Sequence, residues 1–310
     1  MPDRVPGDDG GDQEVRVRFD DQDVDVSGVS DRRGRGAPLA IGGGGLGVIG
    51  LLIVLAINLL GGGTSGLDLS GLNALPAGGA GAAGESVEEL EARCNADGAI
   101  ERYDDCYLIK VYNEANEVWS DTLTGYEQPG LAFYEQAVST GCGNASAEVG
   151  PFYCPADSTV YFDIGFLEAL QERFGAQGRY AQAYVVAHEV GHHVQSLTGV
   201  EREVRRRQQA NRRDANALSV AMELQADCLA GVWSRLADDR GNVSVTDADV
   251  EEALGAAAAI GDDRIQQRTS GRVDPESWTH GSSAQRQQWF RTGSATGDPG
   301  ACDATFDGLT

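Results

Sequence analysis

His188-Glu189-Val190-Gly191-His192 reads H-E-x-x-H, and it lies in a stretch, Ala181 to Leu197, with no proline and one interior glycine. That stretch predicts a helix, with Gly199 as its C-terminal stop. Residues four apart share a helix face, so the two imidazoles can grip one Zn²⁺ together. Glu189, beside the first of them, can reach a water held by the metal and act as general base. Tyr184, His188, His192 and Gln195 fall on one face, with Val185, Val186, Val190 and Val194 as apolar neighbours. Gly191 costs a helix about 1 kcal/mol relative to alanine, which points to close approach of another backbone. The chain has four histidines, and three of them (His188, His192 and His193) stand in or beside the motif. That clustering favours use over the bland alternative of satisfied surface or core histidines.

A zinc hydrolase site needs a third protein ligand and an open position for water. Glu223-Leu224-Gln225-Ala226-Asp227 sits within a long apolar run, Ala217 to Trp233, that reads as a mostly buried helix. Two acids four apart are expensive to bury without partners. Zinc is a natural partner for Glu223. Asp227, one turn on, is placed to accept the N–H of a zinc-bound imidazole, His188, which fixes its tautomer. The alternative is an exposed acidic edge of an amphipathic helix.

H-E-x-x-H followed by E-x-x-x-D on a second helix resembles the gluzincin, thermolysin-like metallopeptidases. The stretches Ala181–Gln195, Gly150–Pro155, Glu223–Cys228, Gly261–Asp263 and His280–Arg286 narrow the likeness. They resemble the bacterial neutral zinc metallopeptidase family of membrane-anchored proteins, from the N-terminal Asp-Arg-Arg-Gly run almost to the C-terminus. The resemblance implies a zincin-like fold and a reaction class, with no substrate named. It implies that His188, His192 and Glu223 hold the metal and that Glu189 is the base. It gives His280, before the helix-start signal Gly281-Ser282-Ser283, a role at the developing oxyanion; a structural role for His280 is the alternative. It also implies an edge strand beside the motif helix that pairs with an extended substrate.

The coarse fold is helix-dominated α+β. Tyr107 to Trp119 and Ser158 to Asp163 are the best strand candidates, and the second is the expected substrate-pairing strand. Thr246 to Arg268 reads as one long Ala-rich helix, with Asp262 and Asp263 near its end, where the helix dipole disfavours acids.

Four segments follow from composition. Residues 1–37 are polar, show no core-forming pattern, and read as a disordered cytoplasmic segment. Residues 38–60 contain Leu39 to Leu60, which carries no charge and is long enough to cross a bilayer. Arg32, Arg33 and Arg35 precede it, so the positive-inside rule puts the N-terminus in the cytoplasm and the C-terminal part outside. A cleaved signal peptide competes with this single-pass reading. Residues 61–85 form a Gly/Ala-rich tether, and residues 86–310 form the metallopeptidase domain, opened by a capping box at Ser86 and Glu89.

All six cysteines lie beyond the membrane segment, which suggests three disulfides in an oxidising compartment. Local spacing favours Cys94–Cys106 and Cys142–Cys154, leaving Cys228–Cys302. The formal charge of −24 argues against nucleic-acid binding. Arg202 to Arg213 form a basic cluster, read as a solvated helix in preference to a lipid or wall-polymer contact.

Peptide or protein is the expected substrate, by metal-assisted hydrolysis. Two other readings stay open. One is an amidase acting on peptidoglycan cross-links. The other is a zinc-stabilised binding or assembly protein without catalysis, against which Glu189 argues.

Overall fold

The structure, a computed structural model, describes residues 18–19, 23–34, 84–172, 175–176 and 178–309. In chain order the strands are β1 (Arg18–Phe19), β2 (Val29–Asp31), β3 (Gly130–Tyr134), β4 (Ala137–Thr140), β5 (Gly143–Ser146), β6 (Phe152–Cys154), β7 (Thr159–Asp163) and β8 (Val243–Ser244). The helices are α1 (Val87–Cys94), α2 (Ala99–Arg102), α3 (Asp104–Thr122), α4 (Gly165–Glu172), α5 (Arg179–Thr198), α6 (Val200–Ala210), α7 (Ala215–Arg240), α8 (Asp247–Ala259), α9 (Asp262–Ser270) and α10 (Ser283–Thr296). A helix-dominated α+β architecture is what the sequence predicts. The expected membrane segment at 39–60 lies outside the described residues, as does nearly all of the tether. No described helix is long and apolar enough to cross a membrane.

The core is built on α5, buried on every side from Tyr180 to Gln195. A helix apolar or satisfied all round belongs in a protein interior. Across it runs α7, and glycines set the spacing of the helices. A Cβ on Gly191 would lie 3.1 Å from the Ala226 carbonyl oxygen of α7. Side chains on Gly231 of α7 and Gly293 of α10 would collide with the Phe290 and Cys228 carbonyls respectively. The helices therefore touch backbone to backbone, as the unfavourable Gly191 suggests from sequence. All three disulfides form with the expected pairing, and Cys228–Cys302 ties the C-terminal turn Pro299–Phe306 to α7.

Beside α5 stands a four-stranded sheet in the order β2-β3-β7-β6, with β2, β3 and β7 parallel and β6 antiparallel to β7. Ser158–Asp163 is a strand as predicted, but it is not an edge. Strand β7 pairs on both sides, and the sheet ends at β6. Tyr107–Trp119 is not a strand. It lies within α3, whose first turn carries Asp104 and Asp105 as helix-start acids.

Residues 23–34 correct the expectation that the first 37 residues lack a core-forming pattern. Val24, Val26 and Val29 are buried in the main core, and β2 pairs with β3 in register from Val29–Leu131 to Asp31–Phe133. The Val24 amide donates to Asn95 Oδ1 at 2.8 Å, and Asn113 Nδ2 donates to the Asp25 carbonyl at 3.0 Å. Arg33 and Arg93 converge on Asp105, at 2.9 and 2.7 Å. The Glu85 amide donates to Asp31 Oδ2 at 3.1 Å, and a side chain on Gly84 would press on Asp31. Residues 84–85 thus meet the fold beside Asp31.

The long helix expected over Thr246–Arg268 is two helices. It breaks at Ile260-Gly261, where a side chain on Gly261 would strike Ser283 at the start of α10. Asp262 and Asp263 therefore sit in the first turn of α9, where the dipole favours acids. The basic segment is mostly solvated α6, with Arg205 on Glu201 and Arg206 on Glu203 and only Val204 buried.

Candidate metal centre

The motif helix α5 and the crossing helix α7 bring three donors together. His188, His192 and Glu223 are buried, and one ligand atom from each lies within 4.8 Å of the others. His188 Nε2 is 3.3 Å from Glu223 Oε2, and His192 Nε2 is 3.6 Å from Glu223 Oε1. Among the described residues this is the one group of three or more His, Cys, Asp or Glu close enough to hold a metal.

Each imidazole is held by its other nitrogen. His188 Nδ1 stands 2.9 Å from Asp227 Oδ1. Asp227 accepts from Arg286 Nε and Nη2, both at 2.8 Å, and from the Tyr184 hydroxyl. A carboxylate so engaged is an acceptor only, which makes Nδ1 of His188 the donor. Gln195 Nε2 donates to the Met222 carbonyl at 2.7 Å and to Gln225 Oε1 at 2.9 Å. That orients its amide, so Gln195 Oε1, 2.8 Å from His192 Nδ1, accepts from the ring. Both imidazoles thus present Nε2 to Glu223. Outer partners of this kind fix ring orientation and raise ligand basicity.

The electrostatics follow from burial against charge. Burial alone would raise the Glu223 pKa; the charge of His192 and the hydrogen bond from His188 override it, and the carboxyl sits well below the usual range. Burial would also raise Asp227, but Arg286 and His188 hold it down. Burial would lower His188, and the hydrogen bonds to Asp227 and Glu223 lift it to about 10.

Glu189 is buried, at 7% exposure, and its carboxylate makes no hydrogen bond or ion pair with any described residue. His193 faces away from the three donors. Its Nε2 lies 2.6 Å from the Glu127 carbonyl and its Nδ1 3.0 Å from the Tyr153 hydroxyl. A carbonyl only accepts, so Nε2 carries the proton and Nδ1 accepts from Tyr153. His193 thereby anchors edge strand β6 to α5. His280 lies on the loop before α10. Asp262 Oδ2 accepts the amides of Thr279, His280 and Gly281, and Asp262 Oδ1 is 3.3 Å from His280 Nδ1. The His280 charge is felt by Glu223, so the imidazole stands within electrostatic reach of the centre.

Residues 20–306 match the family described as "Putative neutral zinc metallopeptidase". The chain belongs to this family. The uncharacterized protein YpfJ of Escherichia coli (strain K12) is 42% identical over 284 residues, covering 89% of this chain and 94% of that one. The uncharacterized protein Rv2575 of Mycobacterium tuberculosis is 47% identical over 221 residues, covering 68% of this chain and 74% of that one. No solved structure matches the chain.

Membership in the neutral zinc metallopeptidase family implies zinc, and the donor set fits it: two imidazole nitrogens and a carboxylate, with both rings in the required tautomer. Sequence reasoning on its own residues did not reach Arg286, the buried cation that balances Asp227. A buried acid at Asp227 demands such a partner, but nothing in the spacing says which arginine supplies it. Gln195 was on the right helix face; its link to α7 needed the fold.

Proposed function

We propose that the protein is a zinc-dependent peptidase that hydrolyses peptide bonds of peptide or protein substrates with water. The observation that carries this reading is Glu189. It is buried, next to His188 in the chain and outside the three-donor group, and its carboxylate is bonded to no described residue, as suits a base whose partner arrives with the substrate.

His188, His192 and Glu223 hold the metal in this reading, with Asp227 and Gln195 orienting the two rings. Bound zinc supplies a Lewis acid that polarises the carbonyl and makes water more acidic. Glu189 takes the proton from the attacking water and returns it to the leaving amine. His280, oriented by Asp262, donates to the oxyanion. The substrate backbone lies along β6, the open edge of the sheet, by main-chain hydrogen bonds. Strand β6 replaces β7 in that role, because β7 has no free edge.

We further propose that Leu39 to Leu60 holds the protein at a bilayer, supported by its charge-free length. Strands β2 and β3 share a sheet and Gly84 lies against Asp31, so residues 23–34 and the peptidase domain lie on the same face of that bilayer. Three disulfides support the outer face.

A digest of a diverse peptide mixture by the purified, zinc-loaded chain tests the peptidase reading. Cleavage that stops with a chelator and returns with zinc is expected. No cleavage of any peptide, with zinc bound in full, would exclude it.

A further inference from the structure

A cavity of about 250 Å³ opens where the start of α3, the end of β3, α4 and α5 meet. Asp104, Glu135, Glu168, Gln171 and Gln182 supply its polar lining. Asp104 is already paired with Arg179 at 3.0 Å. The carboxylates of Glu135 and Glu168 make no hydrogen bond or ion pair among the described residues. Gln182 is 4% exposed, and its Oε1 is buried without a hydrogen-bond partner among the described residues. A buried carbonyl oxygen with no donor is costly, so this amide is set for a donor that no described residue provides. Asp163 stands nearby, its pKa raised by burial and by the charge of Glu135. The cavity thus has a negative field and an unmet acceptor.

Its position relates it to the metal centre. Gln182 and Glu189 are seven residues apart on α5, which is two turns, on one face, about 10 Å along the axis. Tyr134, the residue before Glu135, is within electrostatic reach of both Glu189 and Asp163. An extended peptide advances about 3.3 Å per residue. A side chain within a few residues of the bond beside Glu189 can therefore reach this cavity.

A bare divalent ion is a poor occupant. Calcium takes six to eight oxygens at close range, and the acids here do not converge: no three of them bring donor atoms within 4.8 Å of one another. An elongated group with several N–H donors suits separated acceptors better. Among the described residues the neighbouring cation, Arg179, is committed to Asp104, to the Ile100 and Glu101 carbonyls, and to the Tyr107 ring.

We propose that this cavity is the specificity subsite of the peptidase and takes a lysine or arginine side chain of the substrate, with Glu135 and Glu168 at its mouth and Gln182 at its floor. The proposal rests on the peptidase reading above.

Binding and cleavage test it separately. The zinc-loaded Glu189→Gln protein is titrated with labelled peptides that differ at one position only: lysine, arginine, norleucine or glutamate. At the position that seats in the cavity, lysine and arginine should bind about tenfold tighter than norleucine. The Glu135→Gln/Glu168→Gln protein, altered only at exposed positions, should lose most of that preference. Equal binding of lysine and norleucine at every position overturns the subsite, and so does a preference unchanged in the double variant. Digestion by the wild type then separates the two ideas. Cleavage without basic preference overturns the subsite and leaves the peptidase reading standing. Selective binding without cleavage supports the subsite and overturns the peptidase reading.

Discussion

Arg286 and Asp227 meet as a two-point pair, Nε to Oδ2 and Nη2 to Oδ1, each at 2.8 Å, with both side chains withdrawn from solvent. The pair joins α10 to α7 directly behind His188. Breaking a buried pair by removing one partner leaves the other charge uncompensated and costs about 3–5 kcal/mol. Arg286→Met should therefore lower unfolding stability by about that much, measured by denaturant titration of the zinc-free protein. Asp227→Asn in the same background should recover part of the loss. A loss that the second substitution deepens would contradict the pairing.

Zinc affinity reports on the orienting residues. His188→Ala and Glu223→Ala should abolish tight binding. Asp227→Ala and Gln195→Ala should weaken it by about 10–100-fold each, because each releases an imidazole from its tautomer. Competition against a chromophoric chelator measures this. Full occupancy in Glu223→Ala would remove Glu223 from the ligand set.

Acid should loosen the N-terminal clasp. Burial would raise the Asp31 and Asp105 pKa values, but Arg33 holds Asp31, and Arg93 with Arg33 holds Asp105, below the ordinary 3.8. Groups with a depressed folded pKa stabilise above the unfolded value and lose that stability as pH falls through the folded one. The melting temperature should therefore drop as pH falls from about 5 to below 3.8. The Asp31→Asn/Asp105→Asn protein should start lower and drop less. An acid limb of unchanged depth in that variant would contradict the assignment.

Topology follows from the same clasp. A tag at the N-terminus and a tag at the C-terminus should be equally open to protease added to intact cells or spheroplasts. Protection of the N-terminal tag alone would show a single crossing, and β2 would then not be paired with β3 in the membrane-bound protein.

The chemistry-bearing parts of this fold were legible before the structure, because burying acids and clustering histidines leave few alternatives. Thus α5, α7 and the three donors stand where the sequence puts them. Helix α3 was misread because it is buried on nearly all sides from Asp105 to Trp119. Lys110, Asn113, Glu114 and Glu117 do recur at helical spacing, but Tyr107, Ile109, Val111 and Tyr112 suggest a strand. The break at Gly261 depends on Ser283, far along the chain. The clasp was hidden by composition. Val24 and Val26 alternate with Asp23 and Asp25, a half-buried extended pattern that is lost in an acid-rich average.

The base is the centre of the account, and Glu189→Gln tests it most directly. The substitution keeps the size of the side chain and removes its ability to take a proton. Zinc content and melting temperature should stay at wild-type values, since Glu189 is outside the three donors and bonded to no described residue. Turnover of a peptide cleaved by the wild type should fall by at least about 100-fold. Turnover within a few-fold of wild type, at equal zinc content, would contradict the assignment of Glu189 as the base.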